Sequence, residues 1–169
     1  MSVPSFCIPA HACNRARSLD TFLRCLEKNS TGRHRVVLVA DRWDTPVSPW
    51  EQVGSYATVR ELVEDRWEGF SGEHVTVDVL KPGDAPVAVC ERNYSEWHLR
   101  MAVAQQAAFD GATEDLFFTV GGVDYYLSPC WDSNLAKHAE RAPVVVPVAV
   151  TTQRTSMDVE PPEAGSAWG

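Results

Sequence analysis

Two aspartates stand just past apolar runs of the kind that form buried strands. Asp41 follows Val36–Ala40 (VVLVA) directly, and Asp124 follows Leu116–Val120 (LFFTV) across Gly121, Gly122 and Val123. A carboxylate delivered at a strand end can accept from a nucleobase or a ribose hydroxyl, or it can ligate a divalent cation. Asn14, Arg15 and Arg92 add amide and guanidinium donors, the groups that pair with phosphate oxygens. Two separated acids with that donor set suit a nucleoside diphosphate. Tyr125 and Tyr126 come directly after Asp124. They can stack on a sugar or base, or simply pack.

Other chemistries are removed by what the sequence lacks. The loop PAHACNRARS after the first apolar run holds no glycine, so the dinucleotide-binding G-x-G-x-x-G pattern is absent there. Neither a P-loop nor the nucleophile elbow G-x-S-x-G occurs. The five cysteines, Cys7, Cys13, Cys25, Cys90 and Cys130, form no C-x-x-C pair. Their odd count and spacing argue against a zinc site or a disulfide framework, and they read as buried thiols in a reducing compartment. A formal net charge of −8 argues against a general nucleic-acid or anionic-membrane binder. No apolar run reaches the roughly 20 residues of a membrane span. The N-terminus lacks a basic-then-apolar signal pattern. A soluble, cytoplasmic chain is the expectation.

For Asp41, Asp124 and the donors to meet, the fold must bring distant loops together. Val3–Pro9 reads as a first strand. Ser18 is a candidate cap for a helix from Leu19 to about Lys28, with Leu19, Phe22, Leu23 and Leu26 on one face. Val36–Ala40 is an unbroken apolar run, as in a strand covered on both faces. Ser48-Pro49 with Glu51, and Thr58 with Glu61, each look like a capping box, which predicts helix over Trp50–Trp67 in one or two pieces. The acids Glu61, Glu64, Asp65 and Glu68 read as its solvated face. Val75–Leu80 alternates and reads as a strand near an edge. A helix follows from about Arg92 to Phe109, with Tyr94, Trp97, Met101, Ala104 and Ala108 on one stripe. After the strand Leu116–Val120, Ser128-Pro129 opens a helix to about Glu140, and Val144–Val150 makes a fifth strand. Residues 1–150 thus form one domain, and the polar, Pro-rich 151–169 are a tail or the stub of a further half.

Strand and helix in alternation point to an α/β fold with a largely parallel sheet. Right-handed crossovers then gather the loops that follow the strands onto one edge. That edge collects His11, Asn14 and Arg15, then Asp41, Lys81, Asp84 and Asp124.

Four segments carry a family resemblance: IPAHACNRARSLDTFLRCL, VVLVAD, ERNYSEWHLRMA and LFFTVGGVDYYLSPCWDSNL. In this order and spacing they resemble the nucleotide-binding half of family 2-like glycosyltransferases with the GT-A fold, over about residues 3–150. The E-R-N at a helix start is similar to that family's R-N segment, and FFTVGGVDYYLSPCWD to its strand, D-x-D, Pro and Trp-Asp segment. The resemblance implies a three-layer Rossmann-like sheet, mostly parallel, with helices on both faces. It implies a nucleotide-sugar donor held by Asn14, Arg15, Asp41, Arg92 and Asp124, with Asp41 at the nucleobase or ribose. It also implies a Mn²⁺ or Mg²⁺ ion on Asp124, which matches the last acid of the D-x-D. Gly122 stands where that motif has its first acid. The family continues into an acceptor-binding half, for which a partner chain is the alternative source. No carboxylate presents itself as a catalytic base; Asp132 and Asp158 remain only by elimination. The implied activity is transfer of a sugar to an unknown acceptor. The alternatives are a GT-A-like module that binds a nucleotide without turnover, and a plain α/β scaffold.

Overall fold

The computed structural model describes residues 3–81, 83–84, 97–119, 123 and 126–141. Within them the chain is an α/β fold around a four-stranded, all-parallel sheet. The strands are β1 (Phe6–Ala12), β2 (His34–Ala40), β3 (Val75–Leu80) and β4 (Leu116–Phe117), in the order β3-β2-β1-β4. The register pairs Cys7–Ala12 with Arg35–Ala40, and His34–Val39 with Val75–Leu80. β3 is an edge strand of this sheet, as its alternating sequence predicts. β1 begins and ends three residues later than the apolar run alone suggests, because Pro9, Ala10 and His11 remain in register with Val37, Leu38 and Val39.

Strand alternation divides the core. Phe6, Ile8, Ala10, Val36, Leu38, Ala40, Val75 and Val77 join one cluster. Cys7, Val37 and Val39 join the other, with Ala108 buried among them and Phe117 packed beside it. Helix α1 (Ala16–Asn29) lays its predicted face, Leu19, Phe22, Leu23 and Leu26, into the first cluster, each at most 1% exposed. Each such side chain contributes roughly 1.5–3 kcal/mol when fully buried.

Helix α1 starts earlier than Leu19, and Ser18 does not cap it. Ser18 lies within the first turn, and its N–H and hydroxyl both donate to Glu51. The predicted helix over Trp50–Trp67 is also corrected. Only Pro49–Glu51, a single 3₁₀ turn, and the stretch from Val59 onward are helical. Between them the chain doubles back, with antiparallel bridges Pro46–Thr58 and Val53–Tyr56, and Gly54 sits at φ +54°. Ser48 makes no capping bond there. Thr58 does cap helix α2 (Val59–Leu62), accepting from the Glu61 N–H at 3.2 Å, and the Glu61 carboxylate accepts in return from the Ala57 N–H. α2 widens into a π turn over Val63–Trp67, whose Trp67 indole donates to Asp20 on α1 at 3.0 Å.

Helix α3 spans Trp97–Asp110, and of its predicted stripe Ala108 meets the sheet. β4 is shorter than Leu116–Val120: Phe6 and Cys7 pair with Leu116 and Phe117, and the Phe118 N–H extends the ladder to the Cys7 carbonyl at 2.9 Å. Helix α4 (Trp131–Ala139) starts two residues past Ser128-Pro129, because Cys130 adopts a left-handed φ of 58°. The predicted fifth strand at 144–150, the segment 151–169, and the helix start at 92–96 lie outside the described residues.

Candidate functional site

Strand order reverses at β1: β2 and β3 lie on one side of it and β4 on the other. In open α/β sheets ligands sit in the crevice beyond the carboxyl ends of the strands at such a reversal. Two of the candidate residues follow β1 there. Asn14 is exposed, and the half-exposed Arg15 donates from Nε to Glu51 at 3.1 Å.

Asp41 follows β2 on the same edge, and its N–H donates to the Ala12 carbonyl at 2.9 Å. Its carboxylate meets the Nε2 of His11, the penultimate residue of β1, at 3.1 Å. Both side chains are buried. The fold therefore joins His11 and Asp41 into a pair that sequence spacing alone cannot reveal. They come together because the two parallel strands end level, with Ala12 opposite Ala40. Arg92 and Asp124 lie outside the described residues, as does Tyr125. From the end of β3, Lys81 pairs with Glu68, and its N–H donates to Asp84 at 2.6 Å, so these two groups serve local structure.

A second His–Asp pair went unrecognised in the sequence, at the opposite edge. Asp132 in α4 accepts from the N–H groups of Thr31 and Gly32, both at 2.7 Å, and from the Thr31 hydroxyl at 2.9 Å. It also accepts from the Ser133 N–H at 2.8 Å and from His34 Nε2 at 2.9 Å. His34 Nδ1 in turn accepts from the Phe6 N–H at 3.3 Å, which fixes the proton on Nε2. Burial raises the Asp132 carboxyl, but the Gly32, Thr31 and His34 donors outweigh it and hold the group at about 2. Burial lowers His34, against the pull of Asp132. Neither side chain is exposed, and His34 is packed edge-on against Phe6 and tilted against Trp131. His34 opens β2 and Asp41 follows it, so the two edges are roughly 20 Å apart at about 3.3 Å per residue. Asp132 is thus a structural acid tying α4 to the amino edge. As a catalytic base, for which it remained only by elimination, Asp132 is poorly placed: it is buried, bonded on both carboxylate oxygens and at the edge away from Asp41. Asp158 lies outside the described residues.

Cys7, Cys25 and Cys130 are free thiols. Burial, with help from Glu114, pushes Cys7 up to about 11, which keeps it protonated and inert. Among the described residues no group of three or more His, Cys, Asp or Glu side chains is placed to hold a metal ion. Among them, too, no helix is long and apolar enough to cross a membrane. Comparison of the chain with protein-family models, with curated proteins and with solved structures finds no match.

Proposed function

We propose that this chain binds a nucleoside diphosphate sugar at the carboxyl edge of its sheet and acts as a metal-assisted glycosyltransferase of GT-A type. The observation that carries the reading is the strand reversal at β1, with Asp41 and the β1 loop on its carboxyl edge. In this reading the sheet belongs to a three-layer Rossmann-like domain. Asp41, oriented by His11, accepts from the nucleobase or ribose. Asn14, Arg15 and Arg92 serve the phosphates, which a planar guanidinium can grip with two parallel bonds. Asp124 would hold Mn²⁺ or Mg²⁺, which neutralises charge on the departing nucleoside diphosphate.

A second reading, a nucleotide-binding module without turnover, is favoured by Gly122 at the position of the first D-x-D acid. One fewer carboxylate weakens a divalent-cation site. Calorimetry with UDP and with GDP, with and without Mn²⁺, tests the shared part. Binding that weakens roughly 10- to 100-fold in Asp41→Ala is expected, the loss of a hydrogen bond to a charged group. Asp124→Ala should abolish the Mn²⁺ dependence. Release of nucleoside diphosphate from a sugar donor then favours the enzyme over the module. A chain that binds neither nucleotide at millimolar concentration sinks both readings.

A further inference from the structure

We infer that Glu51 is a positioning residue that holds the Arg15 guanidinium ready for the diphosphate. The inference rests on the proposed function for the ligand and adds a residue to that site. Glu51 is a carboxylate only 3% exposed, carried by the irregular excursion between the bridged residues Pro46 and Thr58. It reaches the turn between β1 and α1. There Oε1 accepts from Arg15 Nε at 3.1 Å and from the Ser18 hydroxyl at 3.2 Å, and Oε2 accepts from the Ser18 N–H at 3.1 Å. A buried carboxylate needs such partners, and among the described residues Arg15 is the cation paired with it.

The pair is lopsided. The Glu51 side chain is 4% exposed and that of Arg15 is 45% exposed. One end is therefore anchored in the fold while the other reaches the carboxyl edge. The anchor is itself constrained. The Glu51 N–H closes a turn on the Ser48 carbonyl at 2.8 Å, with Pro49 inside it, and the Gln52 carbonyl accepts from Arg17 at 3.2 Å. The bond to Arg15 is made at Nε, on the stem side of the guanidinium. That sets the plane of the group and assigns the phosphate grip to its two terminal nitrogens, an edge that can form parallel bonds. An arginine ordered before its ligand arrives loses less side-chain freedom on binding.

The same contacts allow a rival role, in which Glu51 only caps α1 and neutralises Arg15. The two roles differ in sign. Removing a negative charge beside an anion site strengthens anion binding by Coulomb's law. Loosening an arginine that grips the anion weakens it. Glu51→Gln keeps the shape of the side chain and an oxygen for Ser18, but gives up the charge-assisted bond that holds Arg15.

The test titrates UDP and GDP, with Mn²⁺ and at one salt concentration, into the parent chain, Glu51→Gln, Arg15→Ala and the double variant. Thermal midpoints above the titration temperature confirm that each is folded. For the nucleotide that binds the parent, Arg15→Ala should lose roughly 10- to 100-fold in affinity, the loss of a hydrogen bond between charged groups. Glu51→Gln should lose about three- to tenfold, a coupling on the scale of neighbouring residues. In the Arg15→Ala background there is no guanidinium to hold, so Glu51→Gln should leave affinity unchanged or raise it. Glu51→Asp, whose carboxylate stands one methylene short of Arg15, should weaken binding as the glutamine does and replaces it where the glutamine variant is unfolded. Affinity that holds or rises in Glu51→Gln by itself overturns the inference. So does an equal loss in both backgrounds, or an Arg15→Ala chain that binds as well as the parent. Each of these leaves nucleotide binding standing. A parent that binds neither nucleotide overturns the proposed function, and the inference with it.

Discussion

At the scale of single residues, Glu51 shows how a sequence signal can name the right role in the wrong place. Ser48-Pro49 with Glu51 has the spacing of a capping box, yet Ser48 makes no capping bond. Glu51 does cap a helix, but it is α1, whose Ser18 lies 33 positions earlier. A carboxylate there satisfies first-turn N–H groups and complements the helix dipole. Spacing rules are local, so they cannot show an acid that reaches across the fold to another helix. The same limit hid His11–Asp41 and His34–Asp132, which meet only through strand register and helix docking. We predict that Glu51→Ala lowers stability by about 1–2 kcal/mol and Glu51→Gln by less, since an amide oxygen still accepts. Ser48→Ala should stay within about 0.5 kcal/mol, as for surface changes with no named interaction. Urea denaturation of the three variants checks this, and equal costs for Ser48→Ala and Glu51→Ala would refute it.

At the scale of elements, periodic segments were legible and irregular ones were not. The apolar face of α1 and the apolar runs of β2 and β3 follow from spacing, because burial imposes periods of 3.6 and 2 on whatever packs against a core. The excursion over 46–58 has no period. It is held by bridges between its own ends and by Glu51, so its helix-like pattern was overridden by tertiary contacts. The candidate edge was legible through topology, since a parallel sheet puts every strand-end loop on one side. A further link between elements joins α1 to the start of β3. Glu27 accepts from the N–H groups of Glu73 at 2.7 Å and Val75 at 2.8 Å, with His74 beside them. Gly72 leaves room for this, because a Cβ there would stand 2.4–2.5 Å from the Glu27 carboxylate. Gly72→Ala therefore acts by displacing Glu27. Each of Gly72→Ala and Glu27→Ala should cost about 0.5–1.5 kcal/mol, the net worth of hydrogen bonds to amides that are exposed or part-buried. The double variant should cost no more than Glu27→Ala by itself, a coupling beyond about 0.5 kcal/mol. Denaturation of all four chains measures the cycle, and additive losses would contradict the linkage.

At the scale of the whole molecule, the two edges of the sheet are built differently. The carboxyl edge carries Asn14, Arg15 and Asp41. The amino edge ties α1, β1, β2 and α4 together through His34, Asp132 and the turn at Thr31–Gly32. That difference predicts an acid-unfolding profile with two limbs. His34 is held neutral below its ordinary 6.5 by burial, and protonating Nδ1 would set a proton against the Phe6 N–H it now accepts. The unfolded chain therefore takes up a proton at this position as pH falls below about 6.5 while the native chain does not. Stability is full above that pH and erodes below it, by up to about 1.4 kcal/mol per pH unit for one proton. Asp132 adds the second limb. Its carboxyl is held at about 2 against an ordinary 3.8, so its contribution is present above pH 3.8 and is lost as pH falls toward 2. A depression of that size corresponds to about 2–3 kcal/mol. His34→Gln separates the limbs, because the glutamine amide can still donate toward Asp132 and accept from Phe6 but does not titrate. Denaturant unfolding of parent and variant at a series of pH values from 8 to 3 is the measurement. The other histidines are common to both chains, so the difference between the curves reports His34. The variant should lose less stability than the parent between pH 7 and 5, and both should fall together below pH 4. Curves that run parallel from pH 7 to 5 would show that His34 is not the group acid attacks first.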